Sequence, residues 1–422
     1  MSSETDVIVI GAGSSGLSAA KALDKRGISF TVVEGSHRIG GRAYSEEIAP
    51  DVWFDLGCSY LHQAHLNPFV DIADELGIAL AKDKADLFGD GHMRHYRNGE
   101  PLSQQDEIDH SLYWKECSAA INASVELGDD IAVSELVDVE NPFCIPFMAG
   151  MASLNTLDID ETSAADYYDF GGGQDIPVPK GYGNLVAAWG RDVPVSLNTK
   201  VEKIDWSGPG VSIETTKGTL KGKVVLTTVS NGILNADEIL FDPILPDWKQ
   251  DAARGLPTGT ENKICVHFNR DVFGPDGLGW HSTWHDSDDV ANQAAGFEAS
   301  VMGLNVGIVF TGGRHAIWLE KQGQQAGEDF ALNRIADVFG NDVRKHVTRS
   351  IATAWTTEPW TKGSYSMATP GNANQRKELA KPIDNRLFFA GEATVNGAQA
   401  TCHGAYLSGV RAADEIANVI AQ

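Results

Sequence analysis

The chain has little positive charge, few cysteines and no long apolar run. Its five cysteines are widely spread among 422 residues and form no CxxC pair, so the sequence predicts neither a disulfide framework nor a zinc knuckle. Lysine and arginine number 33 against 58 acidic residues, and the net charge of −25 disfavours nucleic acid and anionic membrane surfaces as partners. The acidic start MSSETD lacks the basic segment of a signal peptide, and no apolar run could span a bilayer. We therefore expect a cytoplasmic protein that binds neither membrane nor nucleic acid.

The beginning of the chain predicts a strand, a tight turn, a helix and a second strand. The run VIVI is continuously apolar, as in a buried parallel strand, and GAGSSG follows it directly. A helix is predicted from about Ser15 to Arg26. In such a turn Gly11 permits the sharp bend, Gly13 lets the backbone approach a pyrophosphate, and Gly16 lets helix and strand pack closely. Glu34 ends the second strand, where its carboxylate can accept hydrogen bonds from ribose hydroxyls. The pattern therefore predicts a dinucleotide site.

A second junction of strand and helix lies near the end of the chain. The apolar run LFFA is followed by Gly391 and Glu392, and a helix is predicted from about Thr401 to Ala421. A nicotinamide-binding domain needs one such junction, whereas a larger two-part cofactor such as FAD can use a second helix end. The pattern therefore favours FAD over NAD.

The middle of the chain predicts two further kinds of structure. Residues from about 104 to 170 have helical spacing, and a β-rich segment begins near Val193. We predict an α/β protein with α+β character, in which a Rossmann-like FAD-binding domain is interleaved with a substrate domain of mixed sheet plus helices. The predicted FAD-binding domain comprises residues 1–80, 190–260 and 370–422, and the substrate-binding domain comprises 81–189 and 261–369.

Several ordered motifs together resemble the flavin amine oxidase family over most of the chain. They are VIVIGAGSSGLSAAKAL, VVEGSHRIGGRAYS, DLGCSYLH, PKGYGNLV, RLFFAGEAT and TCHGAYLSGVRAA. Within the family they are more similar to polyamine oxidases and flavin-dependent histone lysine demethylases than to the mitochondrial monoamine oxidases. The resemblance implies non-covalent FAD, because Ser364 stands where monoamine oxidases carry the cysteine that bonds to the flavin.

The resemblance also implies roles for five residues at the amine site. Lys263 matches the lysine that holds a water against flavin N5, and Trp355 resembles the tryptophan that lines the flavin. Tyr365 matches one wall of the aromatic cage that orients the amine. Thr401 replaces the second cage tyrosine, which implies a wider pocket on that side. His62 matches a histidine of animal-type polyamine oxidases.

The cofactor contacts are implied in the same way. Arg42 resembles the residue that reaches the FAD phosphates, and Glu392 the acidic residue near the ribityl and phosphate portion. No metal site is predicted, because His281 and His285 lie in sequence typical of strand and loop. The full set of predicted cofactor-binding residues is Gly11, Gly13, Ser15, Gly16, Glu34, Gly40, Gly41, Arg42, Val201, Gly391, Glu392 and Thr401.

The function that the resemblance implies is oxidation of a primary or secondary amine, including a diamine or polyamine, to an imine that hydrolyses to an aldehyde. O2 is then the second substrate and H2O2 a product. An L-amino-acid oxidase stays an alternative, although Arg94 and Arg97, in a polar stretch predicted to be a surface turn, are not assigned to a substrate carboxylate. A second alternative is an amine dehydrogenase or desaturase. A third alternative is a binding module without oxidase activity. Asp166 and Asp169 either bind a distal ammonium or end an exposed helix. The oligomeric state stays open, a homodimer being one option.

Overall fold

The computed structural model describes residues 4–84, 93–275, 277–287 and 290–421. The strands are β1 (Glu4–Ile10), β2 (Phe30–Val33), β3 (Ser45–Ala49), β4 (Val52–Asp55), β5 (Tyr60–Leu61), β6 (Met93–Arg97), β7 (Glu100–Pro101), β8 (Ile176–Pro177), β9 (Val195–Ser196), β10 (Val201–Asp205), β11 (Val211–Thr215), β12 (Gly218–Thr227), β13 (Leu240–Asp242), β14 (Glu261–Phe268), β15 (Gly279–Trp284), β16 (Ala295–Ala299), β17 (Val306–Gly312), β18 (Val347–Ala352) and β19 (Leu387–Phe389). The α-helices are α1 (Ser14–Asp24), α2 (Pro68–Leu76), α3 (Gln104–Glu126), α4 (Cys144–Asn155), α5 (Ala164–Tyr168), α6 (Tyr182–Gly190), α7 (Asn231–Asn235), α8 (Asp247–Arg254), α9 (Gly313–Gln322), α10 (Gln324–Phe339), α11 (Gln375–Ala380) and α12 (Cys402–Ile420).

One sheet carries the two junctions predicted from the ends of the sequence. Its order is β13-β10-β11-β12-β1-β2-β9, and β19 pairs with the far half of β12. Strands β12, β1, β2 and β9 run parallel. Val7 and Val9 of β1 pack in one core with Leu17 of α1, while Ile8 packs in another core on the opposite face. Burial on both faces explains why the first strand is apolar at every position.

The second sheet has the order β18-β14-β17-β16-β15-β6-β7. Its neighbours are antiparallel, except that β15 and β6 are parallel. On β14, Ile264 and Val266 face a core formed with Phe330 and Ile335 of α10. Because side chains alternate along a strand, Lys263 belongs to the opposite face. One face of this sheet is thus left for the site described below.

Most of the predicted elements are confirmed. Helix α1 begins and ends within two residues of the prediction, and Gly27 follows it with φ +68°, the left-handed conformation expected there. Helices α3, α4 and α5 fall within the segment 104–170 that was predicted to be helical. The α/β class is confirmed. The division into two interleaved domains at the stated boundaries stays a prediction.

The turn predicted around Arg94 and Arg97 is wrong. This polar stretch forms β6, in which His95 pairs with Ser282 of β15. Backbone pairing with the neighbouring strand decides the structure here, because exposed strand positions accept polar side chains. In the part of the chain that the structure describes, no helix is long and apolar enough to cross a bilayer.

Candidate active site

A cavity of about 1390 Å³ extends from the glycine-rich turn after β1 to helix α3. Residues of both sheets line it. The predicted site residues among them are Gly11, Gly13, Ser15, Glu34, Gly40, Gly41, Arg42, His62, Val201, Lys263, Trp355, Tyr365, Gly391, Glu392 and Thr401. Gly16 is the predicted residue that does not line the cavity. The structure therefore brings together residues that are up to several hundred positions apart in the sequence.

The turn between β1 and α1 has the geometry of an anion site. Gly11 has φ +103°, and a Cβ on Gly16 would lie 1.9 Å from the carbonyl oxygen of Gly11, so both positions require glycine. A Cβ on Gly13 would meet no atom closer than 3.9 Å, which leaves room for a ligand. No side chain caps α1 among the described residues. Its first N–H groups and the positive end of its dipole are therefore available to a phosphate.

Glu34 lies beside this turn and is almost fully buried. Its two carboxylate oxygens accept hydrogen bonds from the backbone N–H groups of Ala12 and Ser36, each at 2.8 Å. These bonds fix the carboxylate at the cavity wall. Each carboxylate oxygen has a second lone pair, which can accept a hydrogen bond from a ribose hydroxyl. The turn, the uncapped helix and Glu34 fit the adenosine diphosphate half of a dinucleotide.

Arg42 and Glu392 form an ion pair on the cavity wall. Arg42 Nη1 lies 2.9 Å from Glu392 Oε1 and donates a second bond to the carbonyl oxygen of Ser364 at 2.7 Å. Glu392 also accepts from the hydroxyl of Ser366 at 2.7 Å and from the backbone N–H of Ala400 at 3.2 Å. Glu392 thereby joins the segments that carry Tyr365 and Thr401.

Both alternatives considered for Asp166 are wrong. Its side chain is fully buried and forms two bonds of 2.6 Å with the guanidinium of Arg376, which is also fully buried. Arg376 donates in turn to Ser366 Oγ at 2.8 Å, the hydroxyl that binds Glu392. The sequence pattern missed this pair because its partner lies 210 positions away. Asp169 is exposed and binds the side chain of Asn396.

Lys263 is buried on the cavity face of β14. Its ammonium donates to the carbonyl oxygens of Asp55, at 2.9 Å, and Gly57, and to Ser59 Oγ at 2.6 Å. These bonds use all three protons of an ammonium group. A water held by Lys263, as the resemblance implies, has to replace one of these acceptors.

The aromatic residues predicted around the amine are held by backbone carbonyls. Tyr365 donates its hydroxyl to the carbonyl oxygen of Leu154 at 3.0 Å, and burial raises the pKa of this phenol. Trp355 donates its indole N–H to the carbonyl oxygen of Leu56 at 3.2 Å. Both rings are therefore fixed at the cavity wall. Thr401 is the N-cap of α12, and its hydroxyl accepts from the N–H of Gly404 at 2.9 Å.

His62 lies at the same end of the cavity as part of a dyad. Its Nδ1 is 2.9 Å from Asp175 Oδ2, and both side chains line the cavity with about a third of their surface exposed. A carboxylate on one ring nitrogen fixes the tautomer and orientation of an imidazole. Asp175 did not stand out in the sequence, because a single aspartate before a short apolar stretch has no distinctive spacing.

Sequence reasoning also missed two glutamates that line the cavity with Lys263. Glu261 lies two residues earlier on the same face of β14, and Glu298 lies on β16; both line the cavity. Glu298 accepts a hydrogen bond from the hydroxyl of Tyr60. The period of two along a strand was the available signal for Glu261. Glu298 had none, because Tyr60 is 238 positions away.

These carboxyl groups have perturbed proton affinities. Burial raises the pKa of Glu298 to about 7, against the opposing effects of Tyr60 and Lys263. Burial also raises the pKa of Glu261, and that of Asp55 to about 6. Groups of this kind cluster where a protein binds charge or moves protons. A positive charge placed beside such a carboxyl group favours its ionised form, and a negative charge opposes it.

A cluster of possible metal ligands lies at the far end of the cavity. His95, Glu107 and His110 each place one ligand atom within 4.8 Å of the others. However, His95 Nδ1 is already hydrogen-bonded to Glu107 at 2.8 Å, and Trp114 donates to His110 Nε2 at 3.1 Å. One nitrogen of each imidazole is therefore hydrogen-bonded to another side chain. The absence of a resident metal stays a prediction.

Comparison with known proteins gives two family matches. The family model described as flavin containing amine oxidoreductase matches residues 120–417, and that of the NAD(P)-binding Rossmann-like domain matches residues 9–76. The second match contains the turn and Glu34. The first contains Lys263, Tyr365 and the second junction.

Similar proteins carry the names of two activities. Polyamine oxidase 4 of Oryza sativa subsp. japonica is 27% identical, with 98% of this chain and 88% of that protein covered. Two rice proteins named lysine-specific histone demethylase 1 homolog 1 and homolog 2 are 29% and 31% identical, with 98% and 97% of this chain covered. This chain spans 52% and 56% of the length of those two proteins.

Proposed function

Because the chain belongs to the family of flavin-containing amine oxidoreductases, we propose that it is an FAD-dependent oxidase of a primary or secondary amine. The amine loses two electrons and two protons to become an imine, which water hydrolyses to an aldehyde, and O2 takes up the electrons and protons as H2O2. One observation carries the proposal: the buried Lys263 shares a single cavity with the dinucleotide-binding turn. When bound, FAD supplies the two-electron chemistry.

The residues of this chain hold the cofactor and shape the reaction space. The start of α1 and Glu34 suit the pyrophosphate and ribose. Both printed bonds of the Arg42 side chain use Nη1, so its other guanidinium N–H groups are available to a phosphate. Ser364 has no thiol for a covalent bond, and its hydroxyl accepts from the N–H of Glu261 at 2.7 Å. We therefore expect denaturation to release FAD intact.

The amine end of the cavity orients a substrate by its ring faces and carboxylates. The fixed ring of Tyr365 can pack against an amine nitrogen and exclude water. The His62–Asp175 dyad offers a ring nitrogen that can accept a proton from a substrate ammonium. Holding Lys263 among three acceptors keeps its proton at a defined position. Together these groups position the amine and control where protons go.

The charges of the cavity favour a diamine or polyamine. Glu261 and Glu298 line the same cavity as Lys263, and the whole chain carries a net charge of −25. Such a field attracts small polycations. The similarity to a protein named polyamine oxidase 4 points the same way. A substrate with a carboxylate, as an L-amino-acid oxidase requires, meets these glutamates, while Arg94 and Arg97 are not among the lining residues.

The test is anaerobic mixing of the FAD-loaded protein with monoamines, diamines, polyamines, L-amino acids and a methylated-lysine peptide. We expect diamines or polyamines to bleach the flavin band near about 450 nm, and air to restore the band with release of peroxide. If L-amino acids or the peptide bleach the flavin instead, that class of compound replaces diamines and polyamines as the proposed substrate. Recolouring only with another acceptor would indicate a dehydrogenase, and a protein that none of these compounds bleaches would contradict the proposal.

A further inference from the structure

The carboxylate of Glu261 borders the cavity. It lies on the same face of β14 as Lys263 and lines the cavity, where it is only partly exposed. Among the residues that the structure describes, no donor bonds to its carboxylate. Glu298 differs, because the hydroxyl of Tyr60 donates to it.

The neighbouring basic side chains form their hydrogen bonds with other residues. The ammonium of Lys263 donates its three hydrogen bonds to Asp55, Gly57 and Ser59. The Nδ1 of His62 is bonded to Asp175. Both groups act on Glu261 only through the electric field. A carboxylate removed from bulk water and left without a donor is destabilising, so a proton or a ligand with N–H groups is expected to complete it.

The position of Glu261 relates it to the amine end of the cavity. Its backbone N–H donates to Ser364 Oγ at 2.7 Å, and Tyr365 is the next residue along the chain. Its charge is one of the causes that raise the pKa of Tyr365, after burial. A ligand packed against the ring of Tyr365 is thus within the field of Glu261.

We propose that Glu261 determines substrate specificity. It binds a positively charged nitrogen of the substrate that is different from, and close to, the nitrogen that is oxidised. This inference rests on the proposed function and narrows it. The preferred substrate is an amine with at least two nitrogens, one of them charged while the other reacts. A charge-assisted bond from an ammonium to Glu261 supplies the donor that the protein lacks.

The experiment compares n-alkylamines with α,ω-diamines of the same chain length on three FAD-loaded proteins. They are the wild type, Glu261→Gln and Glu202→Gln; the last removes an exposed glutamate on β10 and serves as a matched control. Flavin reduction is followed anaerobically. For diamines, we expect Glu261→Gln to lower the ratio of the flavin-reduction rate constant to the dissociation constant by roughly ten- to a hundredfold. Monoamine values and both sets of values for the control should stay within about twofold.

A second variant and a second measurement keep the outcome clear. Glu261→Asp retains the charge but draws it back by one methylene, so we expect the preferred diamine to become longer. Binding of diamines to the oxidised protein is measured from changes in the flavin spectrum. If no amine reduces the wild-type flavin, the proposed function fails, yet a diamine preference in binding that Glu261→Gln abolishes would still support this role. Equal losses for monoamines and diamines, or no loss for either, would overturn it.

Discussion

Replacing Glu298 by glutamine should change how stability depends on pH. The side chain is 5% exposed, and burial raises its pKa from the ordinary 4.5 to about 7. Glutamine keeps the size and can still accept from Tyr60, but it cannot ionise. At about 1.4 kcal/mol for each tenfold change in proton affinity, full ionisation of Glu298 costs the folded state about 3 kcal/mol.

The sign follows from the direction of the change. Below pH 4.5 Glu298 is protonated in both the folded and the unfolded state, so it carries no ionisation penalty. Between about pH 4.5 and 7 the unfolded state is ionised while the folded state keeps its proton. The folded protein therefore loses stability as the pH rises through this range, and the loss levels off above about 7. We therefore expect the wild type to lose about 2 to 3 kcal/mol relative to Glu298→Gln between about pH 5 and pH 8.

Thermal unfolding followed by circular dichroism measures this difference. With an unfolding entropy of about 2 cal/mol/K per residue, a protein of this length shifts its Tm by roughly 1 °C per kcal/mol, so the curves should diverge by about 2 to 3 °C. Both proteins are measured with saturating FAD, and Glu202→Gln is the exposed control. Parallel curves for wild type and Glu298→Gln would refute the reasoning, because they would mean that Glu298 ionises as easily when folded as when unfolded.

Three further predictions concern other parts of the site. Lys263→Met should slow flavin reduction by amines by roughly a hundredfold or more in stopped-flow experiments, since no proton is then held at that position; an unchanged rate would remove Lys263 from the mechanism. Arg376→Met should lower the free energy of unfolding by about 3 to 5 kcal/mol by leaving Asp166 buried and unpaired, and adding Asp166→Leu should recover much of it in denaturant titrations. Gly16→Ala should lower the FAD content of the purified protein, measured by its absorbance ratio, because the new Cβ would lie 1.9 Å from the carbonyl oxygen of Gly11. Full FAD occupancy in that variant would contradict the close packing of turn and helix.

The cofactor half of the site could be predicted because its determinants are local. The turn at Gly11 and the close packing at Gly16 are backbone requirements that only glycine meets, and both lie within one short segment. Glu34 follows on the adjacent strand, so β1, α1 and β2 fix its distance from the turn. Because one contiguous strand–helix–strand unit carries these residues, their separation along the sequence determines how far apart they lie in the fold.

The amine half could be predicted only where the resemblance named a residue. Lys263 meets Asp55 across 208 positions, and Tyr60 meets Glu298 across 238. Nothing in the local sequence distinguishes these residues from exposed strand positions. Their pairing is decided by how the second sheet packs against the segment after β4, which no local pattern encodes. For the same reason neither alternative for Asp166, an ammonium ligand or an exposed helix end, anticipates its pairing with Arg376 in the interior.

The two faces of β14 have separate tasks in the structure. The face of β14 that carries Ile264 builds the core with α10, and the opposite face, with Glu261, borders the cavity. A change at Glu261 is therefore expected to alter the charge of the cavity wall without removing a side chain from this core. Relatives of 27% and 29% identity carry the names of a polyamine oxidase and a histone demethylase homologue. If Glu261 has the role proposed for it, a substitution at this cavity position changes substrate preference and leaves the core of β14 and α10 in place.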